Sequence, residues 1–142
     1  METALPVAAG AQLKRKICTI EVLVGKIQEY KAKGQTVVQC HGVFDLLHPG
    51  HIRHFDVAKK EGDILIVTIT PDHLVNKGPG RPIFEENLRA ESLAALEVID
   101  HVVINKWPTA VEAISLLQPN VYVKGSDYTE CYPADSDQVW QL

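Results

Sequence analysis

The sequence predicts an α/β fold, a parallel sheet with helices on both faces. Three observations carry this expectation. Short β-branched runs alternate with helical segments along most of the chain. The run from Ile64 to Ile69 is nearly continuously apolar, not alternating, which suits a parallel strand covered on both sides. The stretch Cys40 to His51 joins a strand end, a glycine turn and a helix start, the junction where an open α/β sheet holds a phosphate.

The elements follow in order. Residues 1–17 read as a flexible leader and 18–142 as one domain, large enough for a single core. Met1 to Gln12 has no basic segment ahead of its apolar residues, so it does not resemble a signal peptide. Lys14-Arg15-Lys16 reads as solvated surface. Thr19 caps a helix over Ile20 to Lys33, in which Ile20, Val24 and Ile27 recur at helical spacing, and Gly34 stops it. Thr36 to Cys40 is the first strand, His48 to Lys60 the next helix and Asp63 to Thr70 the second strand. A short helix is expected within Pro71 to Asn76, and Lys77-Gly78-Pro79-Gly80-Arg81-Pro82 must be a loop. Glu85 to Val98 reads as helix, His101 to Asn105 as the third strand, and Thr109 to Leu117 as a helix with Pro108 in its first turn. Asn120 to Lys124 is the fourth strand. Thr129 to Asp137 is polar and turn-rich, and Gln138 to Leu142 is expected to begin another helix. Right-handed crossovers then give a Rossmann-like, doubly wound parallel sheet, with the C-terminal strand and helix of such a fold expected to be missing.

Bulk properties narrow the function. A net charge of −4 argues against a nucleic-acid footprint, which is usually basic, and leaves small anionic ligands open. Cys18, Cys40 and Cys131 form no CxxC and read as free thiols of a reducing, cytoplasmic compartment. The apolar run Ile64 to Ile69 falls far short of the ~20 residues of a membrane helix. Neither nucleic acid nor membrane is expected as a partner.

Within the central stretch, Pro49 suits the first helical position and pushes His48 out of the helical region, to the cap. Gly50 allows close approach to the backbone, and His51 lies in the first turn, where amides are free and the helix dipole is positive. Two imidazoles and a ring of amides make a phosphate cradle. A metal site competes, because Asp45, His48, His51 and His54 fall at intervals of three. Against it, His48 lies outside the helix and no cysteine pair or HExxH completes a zinc shell. A third reading makes His48 and His51 ordinary surface histidines. His41 faces either the ligand or the core, and His54 reads as structural.

The segment Gly42-Val43-Phe44-Asp45-Leu46-Leu47-His48-Pro49-Gly50-His51 resembles the signature of the HxGH nucleotidyltransferases, the cytidylyltransferase-like superfamily. Within that superfamily the chain is most similar to the adenylyltransferase domain of the enzymes that make ADP-heptose. Lys77 to Pro82, Leu88-Arg89-Ala90-Glu91 and Val123-Lys124-Gly125-Ser126-Asp127-Tyr128 extend the resemblance, which runs from about Val37 to Trp140.

The resemblance implies transfer of a nucleotidyl group with release of pyrophosphate, AMP from ATP to a sugar 1-phosphate such as heptose 1-phosphate, or alternatively CMP from CTP to a polyol or other phosphate. A nucleotide-binding module without turnover is the reading from another class. The resemblance assigns catalysis to His48, His51 and Lys77, and nucleotide binding to Gly42, Val43, Phe44, Asp45, Gly50, Arg89, Lys124, Gly125, Asp127 and Tyr128. It assigns Arg81 to the acceptor phosphate, with a plain solvent loop as its rival. For Arg89 the rival is a surface arginine paired with Glu85 or Glu86, and Asp45 is expected to orient the loop or a histidine. Mg²⁺ is expected on the phosphates, with no dedicated protein ligands. Members are often homodimers, and some are fused to a sugar kinase domain. The family also carries a Ser/Thr-rich phosphate motif in a last helix, which the sequence up to Leu142 lacks, so truncation is an expectation.

Overall fold

The computed structural model describes residues 13–124 and 138–142. Helix α1 spans Ile20–Ala32, strand β1 Val37–Gly42, α2 Pro49–Lys59 and β2 Ile64–Ile69. A 3₁₀ turn at Asp72–Leu74 leads to α3, Glu86–Ala94, then β3, His101–Ile104, α4, Val111–Leu117, β4, Val121–Lys124, and β5, Gln138–Gln141. The strands form one sheet in the order β3-β2-β1-β4-β5. β1 pairs in parallel with β2 and β4, and β2 with β3.

Alternation along the strands divides the core. Val38 and Cys40 of β1 face Phe55 and Ala58 of α2 and Ala90, Leu93 and Ala94 of α3. Val37 faces the other way, onto Ile20, Leu23 and Ile27 of α1 and Ala113 and Leu117 of α4. The expected covering of the sheet by helices on both faces is therefore present. Thr19 caps α1 by accepting a hydrogen bond from the Val22 amide, and Gly34 turns the chain out at φ 79°.

Four expectations are corrected. The domain begins before residue 18: residues 13–16 are helical, Ile17 bridges Val102, and the Cys18 amide donates to the Val102 carbonyl at 3.1 Å. Leu13 and Ile17 pack on the core, and that burial orders a stretch that reads as polar surface from Lys14 to Lys16.

Residues 138–141 are a strand, not a helix, and β5 runs antiparallel to β4, so the sheet is mixed and a strand does follow β4. Val139 packs on the core and Trp140 stacks on Tyr122, with ring centroids 5.7 Å apart and planes 3° from parallel. Such cross-strand packing outweighs the weak tendency of so short a stretch to form helix.

α3 stops at Ala94, well before Val98. Ile99 is buried beyond it, while the Asp100 amide donates to the Leu65 carbonyl at 2.8 Å. α4 begins at Val111, leaving Pro108 outside. The Asn105 carboxamide donates to the carbonyls of Trp107 and Thr109, at 2.8 and 2.9 Å, and so holds residues 105–109 as a turn.

Candidate active site

The strand order reverses direction at β1 and β4. The helix that follows β1 covers one face and the helix that precedes β4 covers the other, so the crevice at their carboxyl ends is the topological switch point, where open α/β sheets bind ligands.

The turn after β1 is built around Phe44. Its backbone is left-handed, at φ 50°, and its ring folds back over Gly42. A Cβ on Gly42 would lie 2.8 Å from Phe44 Cζ, so the glycine is needed for the ring, not for a ligand. Phe44 is buried against Phe55, at 5.0 Å between centroids, and meets the His51 ring edge-on at 5.6 Å. This packing stabilises an unfavourable φ and fixes the entry into α2.

Pro49 is the first residue of α2, and His48 is its N-cap with φ −143° and ψ 173°. The Gly50 amide donates to His48 Nδ1 at 3.0 Å, and the His48 amide donates to His51 Nδ1 at 3.2 Å. The two histidines thus form a reciprocal capping box. Each Nδ1 is an acceptor, so in the neutral rings the proton sits on Nε2. The helix start therefore carries two N–H donors, on rings whose centroids are 4.0 Å apart. His51 is pushed down to about 4, first by burial and then by the electrostatic influence of its neighbours His48, His54 and Lys77. It is uncharged at neutral pH, and Lys77 is near enough for its charge to contribute to that shift. His54 is buried and stacked on Phe44 at 6.4 Å, a core residue. Among the described residues no three His, Cys, Asp or Glu side chains are placed to share a metal ion.

Asp45 straps the 81–84 loop to the β1 turn. Its carboxylate accepts from the amides of Ile83 at 2.7 Å and Phe84 at 2.9 Å and from Arg81 Nε at 3.0 Å. Burial alone would raise its pKa, but the hydrogen bonds from Phe84, Ile83 and Arg81 outweigh burial and hold it below the ordinary carboxylate value. Arg81 is therefore committed at Nε, whereas its two Nη atoms make no hydrogen bond among the described residues.

Arg89 departs most from expectation. It is neither a solvent-facing arginine paired with Glu85 or Glu86 nor a guanidinium open to a nucleotide, because its side chain is fully buried. Nε donates to the Phe84 carbonyl at 3.0 Å, Nη1 to the carbonyls of Val43 and Thr70, each at 2.9 Å, and Nη2 to Asp72 at 2.7 Å. Asp72 and Glu86 complete the knot by exchanging amide-to-carboxylate bonds of 2.9 and 3.1 Å. Arg89 thus ties the β1 turn, the end of β2 and the start of α3 together. Long-range acceptors, three carbonyls and the Asp72 carboxylate, explain its burial, and no local pattern reveals them.

The structure gathers Gly42, Val43, Phe44, Asp45, His48, Gly50, His51, Lys77 and Arg81 at this edge of the sheet, with Lys124 ending β4 and exposed. Gly125, Asp127 and Tyr128 lie outside the described residues.

A profile of Cytidylyltransferase-like proteins matches residues 39–141, from mid-β1 through β5. The chain belongs to the cytidylyltransferase-like family. Relatives of this family member include the bifunctional protein HldE of Methylobacillus flagellatus, 37% identical over 92% of the chain and 27% of the relative. That of Geobacter metallireducens is 44% identical over 80% of the chain and 24% of the relative. The chain thus spans about a quarter of the length of these curated relatives. The crystal structure of the lipopolysaccharide core biosynthesis protein from Thermoplasma volcanium GSS1 superposes with a TM-score of 0.57 at 32% identity, covering 61% of this chain and 71% of that one.

Proposed function

We propose that this cytidylyltransferase-like chain transfers a nucleotidyl group, AMP from ATP, to a sugar 1-phosphate such as heptose 1-phosphate, releasing pyrophosphate. The observation that carries the proposal is the histidine capping box, which turns a helix N-terminus into a pair of Nε2–H donors with Lys77 alongside. The acceptor phosphate attacks the α-phosphate in line. A new P–O bond forms to the acceptor, the bond to the β-phosphate breaks, and its electron pair leaves with pyrophosphate. A phosphate dianion is its own nucleophile, so no general base is required. This agrees with Asp45 being occupied by three protein donors. His48, His51, Lys77 and the first amides of α2 would stabilise charge on the transferring and leaving phosphates.

Arg81, whose Nη atoms make no hydrogen bond among the described residues, suits the acceptor phosphate. Arg89 acts by holding the turn and not by contact. Magnesium carried by the phosphates would neutralise their charge. Asp45, the buried carboxylate there, is already paired with Arg81 and would not hold it.

The kinship with the bifunctional HldE proteins and with a lipopolysaccharide core biosynthesis protein supports a sugar acceptor, and the resemblance of Val123 to Tyr128 supports ATP. Pyrophosphate release with ATP and with CTP, against a panel of sugar 1-phosphates and polyol phosphates, tests the reading. Turnover of ATP with a sugar 1-phosphate is expected. Turnover of CTP with a polyol phosphate would replace the substrate assignment. Nucleotide binding without turnover, across the whole panel, would make the chain a binding module.

A further inference from the structure

His41 is the residue before the end of β1, at the carboxyl edge of the switch-point crevice, and the phosphate chemistry above does not use it. It shares a face of the sheet with Gln39, across β1 from α2, because both side chains bond to the same Thr68 hydroxyl. That hydroxyl has room for two accepted bonds and one donated bond. Its proton goes to the Cys40 carbonyl at 3.4 Å, and one lone pair takes Gln39 Nε2–H at 3.1 Å. The remaining lone pair faces His41 Nδ1 at 2.8 Å. The hydroxyl is satisfied in full when Nδ1 carries the imidazole proton. His41 then has the opposite tautomer to His48 and His51: its Nε2 is a bare acceptor, with no partner among the described residues. Burial holds the ring neutral, pushing His41 down to about 4 against a hydrogen bond with the Thr68 backbone, which raises it.

We propose that His41 is a specificity-determining residue whose Nε2 accepts a hydrogen bond from a hydroxyl of the sugar-phosphate acceptor, with Thr68 as the positioning residue that fixes its tautomer. The crevice thus sorts its polar groups by sign. The α2 side offers N–H donors, which suit phosphate oxygens. The His41 side offers an uncharged acceptor, which repels a phosphate oxygen and suits a hydroxyl. A ligand seated with its phosphates on α2 and extending over the end of β1 meets both. This inference rests on the nucleotidyltransferase reading, and it narrows the acceptor to a polyhydroxylated one.

The test compares the parent, His41→Phe and Thr68→Val on the natural-type acceptor and on a series of singly deoxygenated sugar 1-phosphates. For the hydroxylated acceptor, His41→Phe is expected to lower kcat/KM about tenfold, the worth of one uncharged hydrogen bond, mostly through KM. The KM for the nucleotide should stay put, and one member of the deoxy series should be used equally by parent and variant. Equal losses on every acceptor, or a shift in nucleotide KM, would overturn the proposal. The ¹⁵N shifts of His41 in the unliganded protein give a readout independent of turnover. They should report an Nδ1–H ring in the parent and a tautomer mixture in Thr68→Val, and an Nε2–H ring in the parent would overturn the proposal. A parent inactive with every nucleotide and acceptor would instead sink the nucleotidyltransferase reading and this inference with it, a result distinct from the failure of the His41 arm alone.

Discussion

Replacing Arg89 by methionine keeps an unbranched apolar stem and removes every donor from the knot beneath the site. The carbonyl of Thr70 loses a cationic partner in a buried place and those of Val43 and Phe84 in part-buried ones, while Asp72 is 37% exposed and keeps the amide of Glu86. The carbonyls therefore dominate the loss, and the ion pair with Asp72 is discounted for solvent screening. Hydrogen bonds to a charged group contribute about 1.5–3 kcal/mol each but do not add, so the cost is about 3–5 kcal/mol, in the range for breaking a buried ionic cluster. A domain of this size is stable by about 5–15 kcal/mol, so the variant folds marginally. With a urea slope of about 2 kcal/mol/M the midpoint should fall by about 2 M. Arg89→Lys retains the charge without the planar fork and should fall between the two. The measurement is urea unfolding followed by far-UV circular dichroism, with nucleotide affinity measured on each folded protein. A midpoint shift under about 0.5 M for Arg89→Met, together with a large loss of nucleotide affinity, would refute the structural account and return Arg89 to the nucleotide.

Gly42→Ala places a methyl 2.8 Å from Phe44 Cζ and should cost about 1–3 kcal/mol of stability by thermal melt, because the ring is hemmed in by Phe55 and His51. His51→Ala removes one Nε2–H donor and should lower turnover, read as pyrophosphate release, by about 10²–10³-fold. His41 and His51 are held near 4 against an ordinary 6.5, so between those values the unfolded chain binds protons that the native chain does not. Stability should therefore fall as pH is lowered from about 6.5 towards 4, and the depressed carboxyl of Asp45 adds a loss of the same sign on acidification. Urea midpoints across this range check the sign.

Local signals were enough for much of this architecture. Proline at 49 told of a helix start with His48 at its cap, and the structure has both. The near-continuous apolar run of β2 told of a parallel strand with two covered faces, and Thr19 and Gly34 marked the ends of α1. What escaped was non-local. Asp45 and the 81–84 loop are joined across 36 to 39 positions, and Arg89 reaches Val43 across 46. No periodicity encodes such pairs, so a buried arginine in the first turn of α3 reads as surface. β5 escaped for the same reason: its strand identity comes from Val123 and Tyr122 beside it.

The capping box separates folding from chemistry at the site itself. Ser at an N-cap with Glu three residues on is the common way to close a helix start. Here both positions are histidine, although either Ser or Glu would satisfy the same amides. A requirement for the cap alone does not explain that choice, but a requirement for outward donors does. Ser and Glu cap by accepting and have no second nitrogen, whereas an imidazole accepts at Nδ1 and donates at Nε2. The double variant His48→Ser with His51→Glu should therefore fold within about 1 kcal/mol of the parent, since the exchange preserves the cap. It should also place a carboxylate in the proposed phosphate cradle and abolish both nucleotide binding and pyrophosphate release. If that variant folds and still turns over nucleotide at more than a hundredth of the parental rate, the histidines serve the helix and not the phosphates. The seat of catalysis would then have to be sought at Lys77 and Arg81.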